Sequence, residues 1–385
     1  QDNPEDARRR KDRRGGTIME FAEKTTIPQS GICLVSLSAN SDHQNTLYGM
    51  FSALFGKFIV HTVGINNPIV DKPPMTKFNH YVKCPERPGI SKGTFDLTSI
   101  YRIVRIIKDS GCKTIYFESV HVWNCAIMLG LGRGYTKITT LHDVVPHDGA
   151  KSVLLCQKAQ SLLSDYVVIK SPEFIDAAER LYGLKESKLI VFGVWRDYPR
   201  FSYHKGDGSY LFFGRLRRYK GLENVLVLAE KCRDINFKVV GSPDEQSMPI
   251  VERLASLPNT EVIARKVSDD EMANFFETSS WVILPYQSAS QSGVIIDAYK
   301  YGRPVIAYGV GAISSQVNDG SSGLLVRPDA LDDFVSSIYL TKNLDSHKYR
   351  EMCENAYAFG YKHYSTDVLS KEFAIKFNID KVVDK

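Results

Sequence analysis

The sequence predicts an α/β protein built as two doubly wound, Rossmann-like halves, each a parallel sheet covered by helices. Three observations carry this. Short apolar or β-branched runs alternate with helix-period segments along most of the chain. At 385 residues, 43% of them hydrophobic, the chain is long enough for two or three separate cores. A polar, turn-forming break at residues 204–209 (HKGDGS) divides the alternation into two sets. The composition, 24% charged and 11% aromatic, excludes disordered, collagenous and disulfide-scaffold classes.

Residues 1–16 contain no apolar side chain except Ala7, so residues 1–29 are expected to form a disordered or loosely ordered tail, with Met19 a candidate first residue. In the first half, residues 32–37, 58–63, 114–117, 137–141 and 166–169 read as strands. Leu47, Met50, Phe51, Leu54, Phe55 and Phe58 recur at helical spacing, as do Ile100, Ile103, Val104 and Ile107. Both stripes read as core-facing, with a membrane-facing role as the alternative. Residues 189–203 take a strand into a linker. The second half offers strands at 210–213, 236–240, 260–264, 281–284, 304–307 and 323–326. The expected domains are thus 30–203 and 204–355, followed by a helical segment over 356–385.

The net charge of +5 is unevenly placed. Lys and Arg outnumber Asp and Glu by six to four over residues 1–18 and by nineteen to fifteen over 19–195, against twenty-four to twenty-five thereafter. No dense basic stripe exists, which argues against a nucleic-acid partner, whereas a mildly basic first half suits an anionic substrate or membrane surface. Seven scattered cysteines have no metal-ligand spacing and read as buried thiols of a reducing compartment. No apolar run is long enough to span a membrane. The expected location is cytoplasmic, with peripheral attachment to the inner face of a membrane as an added possibility.

In open α/β sheets ligands sit beyond the carboxyl ends of the strands, so the loops after the strands hold the chemistry. After strand 210–213 come Gly214, Arg215, Leu216, Arg217, Arg218, Tyr219, Lys220 and Gly221, opening a helix. Glycine lets the backbone approach a ligand, a helix start offers free N–H groups, and Arg215 with Lys220 adds a fork and a point charge suited to a diphosphate. Arg217 and Arg218 read as solvated turn residues. After strand 281–284, Ser290, Gln291, Ser292, Gly293 and Val294 form a second anion nest at a helix start. Asp297, one turn in, would face that nest and accept hydrogen bonds from a ribose diol, or else serve only the helix dipole. The loop at 310–312 could also approach a diphosphate, while residues 320–323 read as a structural turn. In the first half, His142, Asp143 and His147 lie in the run HDVVPHDG after a strand. An imidazole there could bond a sugar hydroxyl, relay a proton or merely cap a turn. Asn40, His43 and His121 sit in polar loops on the same edge and could line an acceptor groove.

Residues 210–326 resemble the donor domain of a GT-B glycosyltransferase of the family 4 kind (glycosyl transferases group 1). Gly214, Arg215, Lys220 and Gly221 match its Gly-Arg-x4-Lys-Gly loop. The stretch from Asp297 and Ala298 through Gly302 to Pro304–Ala307, and that from Asn318 to Val326, match its later motifs. One departure is visible: where the family has two glutamates eight positions apart, this chain has Ala289 and Asp297. By the resemblance, Asp297 inherits ribose binding, His142 lies against the donor sugar, and the terminal helix crosses back to the first domain.

The resemblance implies a GT-B fold and a retaining hexosyltransferase that moves a sugar from a nucleoside-diphosphate sugar to a hydroxyl acceptor, a saccharide or lipid-linked glycan, in polysaccharide or glycolipid assembly. No cofactor or metal is expected, and no Asp-x-Asp motif occurs. A UDP-sugar donor is slightly favoured over a GDP-sugar. Charge on the leaving diphosphate would be met by Arg215, Lys220 and the helix N-termini. Val267 and its neighbours would border the base. His142 and Asp143 would act on the first-domain side. The alternatives are a nucleotide-sugar epimerase or hydrolase on the same fold, or a catalytically silent GT-B partner.

Overall fold

The computed structural model describes residues 31–65, 78–85, 92–145, 151–289 and 291–379. The tail at 1–29, His147 and Ser290 lie outside the described residues.

The first lobe is built from β1 (Ile32–Val35), α1 (Ser41–Leu54), β2 (Val60–Ile65), β3 (Asn79–Val82), α2 (Leu97–Asp109), β4 (Thr114–Phe117), α3 (Val122–Leu131), β5 (Thr136–Leu141), α4 (Lys151–Leu163), β6 (Tyr166–Ile169), α5 (Ile175–Tyr182) and β7 (Leu189–Val191). Its strands form one parallel sheet in the order β3-β2-β1-β4-β5-β6-β7. The second lobe follows with β8 (Tyr210–Phe213), α6 (Leu222–Lys231), β9 (Phe237–Val240), α7 (Met248–Ala255), β10 (Thr260–Ile263), α8 (Asp269–Thr278), β11 (Trp281–Leu284), α9 (Gly293–Lys300), β12 (Val305–Tyr308), α10 (Ile313–Gln316), β13 (Gly323–Val326) and α11 (Leu331–Lys342). Its parallel sheet runs β10-β9-β8-β11-β12-β13. Two last helices, α12 (Ser346–Tyr364) and α13 (Thr366–Lys376), complete the described chain.

The central strands are buried on both faces, as continuous runs such as ICLV and WVIL require when helices cover a parallel sheet on each side. The expected strands therefore appear, several shifted by one or two residues, and β3, with its polar start Asn79–His80, is an edge strand the apolar pattern did not mark. Both amphipathic stripes are core: Leu47, Met50, Phe51, Leu54 and Phe58 pack on one face of the first sheet, and Ile100, Ile103, Val104 and Ile107 on the other. This removes the membrane-facing alternative for the stripes, because their apolar atoms are already out of water; Phe55 alone among them is exposed.

The last two helices tie the lobes together. Helix α12 packs on α9, with Gly360 so close to Tyr198 and Tyr299 that a Cβ there would meet the Tyr299 side chain at 2.6 Å. The chain then bends at Ser365, whose Oγ accepts from the Val368 amide and caps α13. Phe373 of α13 is fully buried in the first-lobe core, 5.2 Å from the Tyr116 ring and 5.4 Å from Trp195.

Candidate functional site

In each sheet the strand order reverses once, between β1 and β4 in the first lobe and between β8 and β11 in the second. Helices leave opposite faces there and open a crevice at the carboxyl ends of the strands. Nearly all the residues singled out above gather at these two crevices.

In the second lobe, β8 is followed by Gly214 (φ 109°), and the loop returns through a short helical turn, Arg218–Lys220, to Gly221 (φ 76°) at the start of α6. At both positions the positive φ strains any side chain. A Cβ at 214 would sit 3.2 Å from Lys220 Nζ and 3.5 Å from Val294, and one at 221 would collide with the Pro285 carbonyl. The loop after β11 is thereby pressed against the loop after β8, and Gln287 N donates to Tyr219 O at 2.9 Å. Gly311 (φ 50°), in the loop after β12, abuts the Ala289 carbonyl in the same way.

The four cations of the β8 loop divide. Arg217 pairs with Asp244 at 3.2 Å, and Arg218 with Glu223 at 2.5 Å. Among the described residues, neither Arg215 nor Lys220 meets a carboxylate. Lys220 is half-buried beside Gly214, its ammonium 5.2 Å from the Tyr286 ring centroid. Burial, reinforced by the charges of Arg215 and Arg217, pushes its ammonium down to about 8. Like charge held together without an anion marks the place an anion would fill.

The nest at α9 is smaller than its sequence suggests. The Ser292 amide donates to Gln316 Oε1 at 2.8 Å, and Gln316 Nε2 donates back to Ser292 O at 3.1 Å. This reciprocal clamp fixes the loop but takes the Ser292 N–H out of the nest, leaving the Gly293 and Val294 amides at the helix start. Asp297 lies one turn further in, and its Oδ1 accepts from Arg196 Nε at 3.1 Å. One of its carboxylate oxygens is thus already engaged by a cation from the linker. Arg196 belongs to the linker between the lobes, where its backbone bonds Tyr364 O and the Thr366 amide at the bend between α12 and α13, and its guanidinium lies alongside Gly293. Val267 is half-buried between β10 and α8, packed on the second-lobe core.

In the first lobe, His142 and His43 stack with ring centroids 4.3 Å apart. His142 Nε2 lies 2.9 Å from Glu118 Oε1 and 2.8 Å from Glu118 O. Glu118 directly follows β4 and is completely buried. Burial pushes its carboxyl up, but the charges of Lys170, His142 and His43 and the bond from His142 outweigh that and hold it well below the usual carboxylate range. Thr140 Oγ1 donates to Tyr116 Oη at 2.6 Å and approaches Glu118 Oε2 at 3.4 Å. Asn40 is exposed at the crevice, its carbonyl accepting from Gln44 N of α1. Asp143 is half-buried, and its backbone carbonyl accepts from Gln157. His121 is a correction: it is 1% exposed, its Nδ1 accepts from the Trp123 amide to cap α3, and its Nε2 lies 3.1 Å from Pro85 O. A histidine consumed by a cap lines no groove.

The two crevices face one another. Ser171 Oγ, after β6, lies 3.3 Å from Ser315 Oγ of α10, and an inter-lobe cavity of about 460 Å³ is lined by Lys170, Gln291, Gln316, His363 and Glu372. Among the described residues, no group of three or more His, Cys, Asp or Glu is arranged to hold a metal ion, and no helix is long and apolar enough to cross a membrane.

Residues 208–340 match the family glycosyl transferases group 1. An uncharacterized glycosyltransferase of Methanocaldococcus jannaschii is 30% identical over 206 residues, 52% of each chain. The O-antigen chain mannosyltransferase C of Escherichia coli is 27% identical over 177 residues, covering 43% of this chain and 47% of that protein. The chain thus spans about half the length of the curated relatives it matches. Anabaena HepE in complex with UDP superposes with a TM-score of 0.71 over 90% of this chain and 99% of its own, at 14% identity; it has also been solved with UDP and glucose and with UDP-glucose. The cation-bearing loop, the clamped nest and the sheet of the second lobe fall in the matched segment, and the two-lobe arrangement extends across the rest: the chain has the GT-B fold and carries a glycosyl transferases group 1-like domain.

Proposed function

We propose that this protein is a glycosyltransferase that moves a sugar from a nucleoside-diphosphate sugar, held by residues 204–355, to a hydroxyl acceptor held by residues 30–203, with retention of configuration. The observation that carries this reading is the meeting of Arg215 and Lys220, with no carboxylate among the described residues, between the starts of α6 and α9 at the switch point of the second sheet. That is where a diphosphate would neutralise them, and the HepE complexes with UDP and UDP-glucose support the same reading. A uridine nucleotide is favoured on that ground.

In this reading the anomeric carbon–oxygen bond to the diphosphate breaks as the acceptor oxygen bonds the same carbon on the same face. The acceptor proton passes to an oxygen of the departing diphosphate. Arg215, Lys220 and the Gly293 and Val294 amides stabilise the charge that develops there, and fixed donors are most effective where charge appears. Asp297 shares its carboxylate between Arg196 and the ribose diol, and Val267 borders the base. His142 faces the transferred sugar, with Asp143, Asn40 and His43 on the acceptor side. The exposed Phe95, Leu97 and Tyr101, beside Arg102 and Arg105 on α2, give the first lobe a face suited to an anionic membrane carrying a lipid-linked acceptor.

The test is thermal stability of the wild type and Arg215→Ala with UDP, GDP, ADP, TDP and CMP in turn. One nucleoside diphosphate is expected to stabilise the wild type, by about 2.7 kcal/mol at a hundred times its dissociation constant, and to lose most of that effect in the variant. If none stabilises the wild type, the donor site fails and a silent GT-B partner becomes the better account, in line with Ala289 in place of the family's acid.

A further inference from the structure

Sugar transfer as described makes no use of Glu118, yet this side chain is a charged group with no access to water at the carboxyl end of β4, beside the switch point of the first sheet. A buried carboxylate is unfavourable unless its surroundings are built for it. Here they are. Lys170, buried after β6, supplies an opposing charge; Tyr116 and Thr140 form a hydroxyl pair beside it; and His142 and His43 close the remaining side.

We propose that Glu118 is a positioning residue that holds the His142 imidazole in the tautomer protonated on Nε2, so that Nδ1 is the nitrogen offered as a hydrogen-bond acceptor to the transferred sugar. Two acceptors face one ring nitrogen: the Glu118 backbone oxygen at 2.8 Å and its carboxylate at 2.9 Å. An N–H there donates to the backbone oxygen and lies within ion-pair reach of the carboxylate, whose Oε1 has no other donor among the described residues; in the neutral imidazole this puts the lone pair on Nδ1. The stacked His43 ring, 4.3 Å away, restrains the face of His142 while Glu118 restrains its edge. Lys170 connects this device to the cleft, because the same residue lines the inter-lobe cavity. A carboxylate orienting a working histidine through its other nitrogen is an economical way to fix both tautomer and direction.

The sugar contact rests on the transferase reading, whereas the tautomer does not, and two measurements separate them. In the first, the full chain is labelled with 15N-histidine and its imidazoles are read by two-bond proton–nitrogen correlation, with His142→Asn assigning the signals by difference. With the pH raised until the ring is neutral, protonation on Nε2 is expected, with a downfield proton that moves upfield in Glu118→Gln. A ring protonated on Nδ1, or no change in the variant, overturns the proposal. In the second, affinities for the nucleoside diphosphate and the matching nucleotide sugar are compared. Glu118→Gln and His142→Asn should each lose about five- to tenfold of the sugar's contribution, the size of one hydrogen bond, with the bare nucleotide unaffected. Equal loss for both ligands would make Glu118 merely structural. If no nucleoside diphosphate binds the wild type, the transferase reading falls and the sugar contact with it, while the resonance result still decides positioning.

Discussion

Lys220 should be a residue that costs stability and confers binding, and both effects can be measured on one substitution. Its ammonium is depressed from 10.5 to about 8, first by burial and then by Arg215 and Arg217. A depression of that size corresponds to roughly 3 kcal/mol of penalty on the charged form in the folded state. The contact with the Tyr286 ring, 5.2 Å away, is already part of that balance, and a methionine in the same place keeps most of the packing. After a discount for the partial exposure of Lys220, Lys220→Met should stabilise the unliganded protein by about 1–2 kcal/mol at neutral pH, or about 2–8 °C in the melting of the second lobe. The sign of the pH dependence follows from linkage. Below about pH 8 the lysine is charged in both states and the full penalty stands. Between about 8 and 10.5 the unfolded chain holds the proton that the folded chain releases, so wild-type stability rises relative to the variant and the gap closes. Urea unfolding of both proteins at neutral pH and near pH 10 checks this. A saturating nucleoside diphosphate should reverse the order, since only the wild type gains from it. A variant less stable than wild type at neutral pH, or a gap that does not change with pH, would show that Lys220 is not an uncompensated cation and would remove the main argument for an anion there.

Asp297→Asn should weaken the nucleotide about tenfold, and the preference of the wild type for the ribonucleotide over its 2′-deoxy form should collapse in calorimetry, since one charged hydrogen-bond partner of the sugar is lost. Equal discrimination in the variant would leave Asp297 with only its bond to Arg196. Phe373→Ala should destabilise the protein by about 3–5 kcal/mol, because a fully buried ring shared by α13 and the first sheet leaves a cavity; a loss under about 1 kcal/mol in chemical unfolding would mean that α13 does not close that lobe. Vesicles rich in phosphatidylglycerol should retain the wild type in flotation at low salt and lose it at high salt, and Arg102→Glu with Arg105→Glu should abolish retention, whereas equal flotation of the double variant would rule out this face.

The alternation of apolar runs was enough to give two parallel sheets, because strands buried on both faces leave continuous apolar segments and leave little else to read. The loops after β8 and β11 were legible for a related reason: glycines at 214 and 221, where positive φ and, at 221, the backbone of the neighbouring loop exclude a side chain, and cations grouped at a strand end are local features visible without the fold. Which cations stay unpaired was only partly legible. Arg217 and Arg218 read as solvated turn residues, and the structure gives each in addition a surface carboxylate, Asp244 and Glu223. His121 had the same local appearance as His142, a histidine just after a strand, yet one is spent capping α3 and the other faces a carboxylate.

What stayed hidden has a common cause. Glu118 meets His142 across 24 positions of sequence, Asp297 meets Arg196 across 101, and Gln316 reaches back 24 positions to close on Ser292. Glu118, Arg196 and Gln316 each lie in a local context that marks nothing, and the role of each exists only because the fold brings distant segments together. Residues that would face a ligand must be aligned on one loop or one helix turn to act jointly, and they leave a local pattern. The residues that hold them in place need only arrive at the right point in space, from any part of the chain. Reading from sequence therefore recovers the groups that would touch the nucleotide ahead of those that tune them. At this site the tuning groups, a buried glutamate under His142 and a linker arginine on Asp297, set which ring nitrogen and how much of the carboxylate a substrate would find.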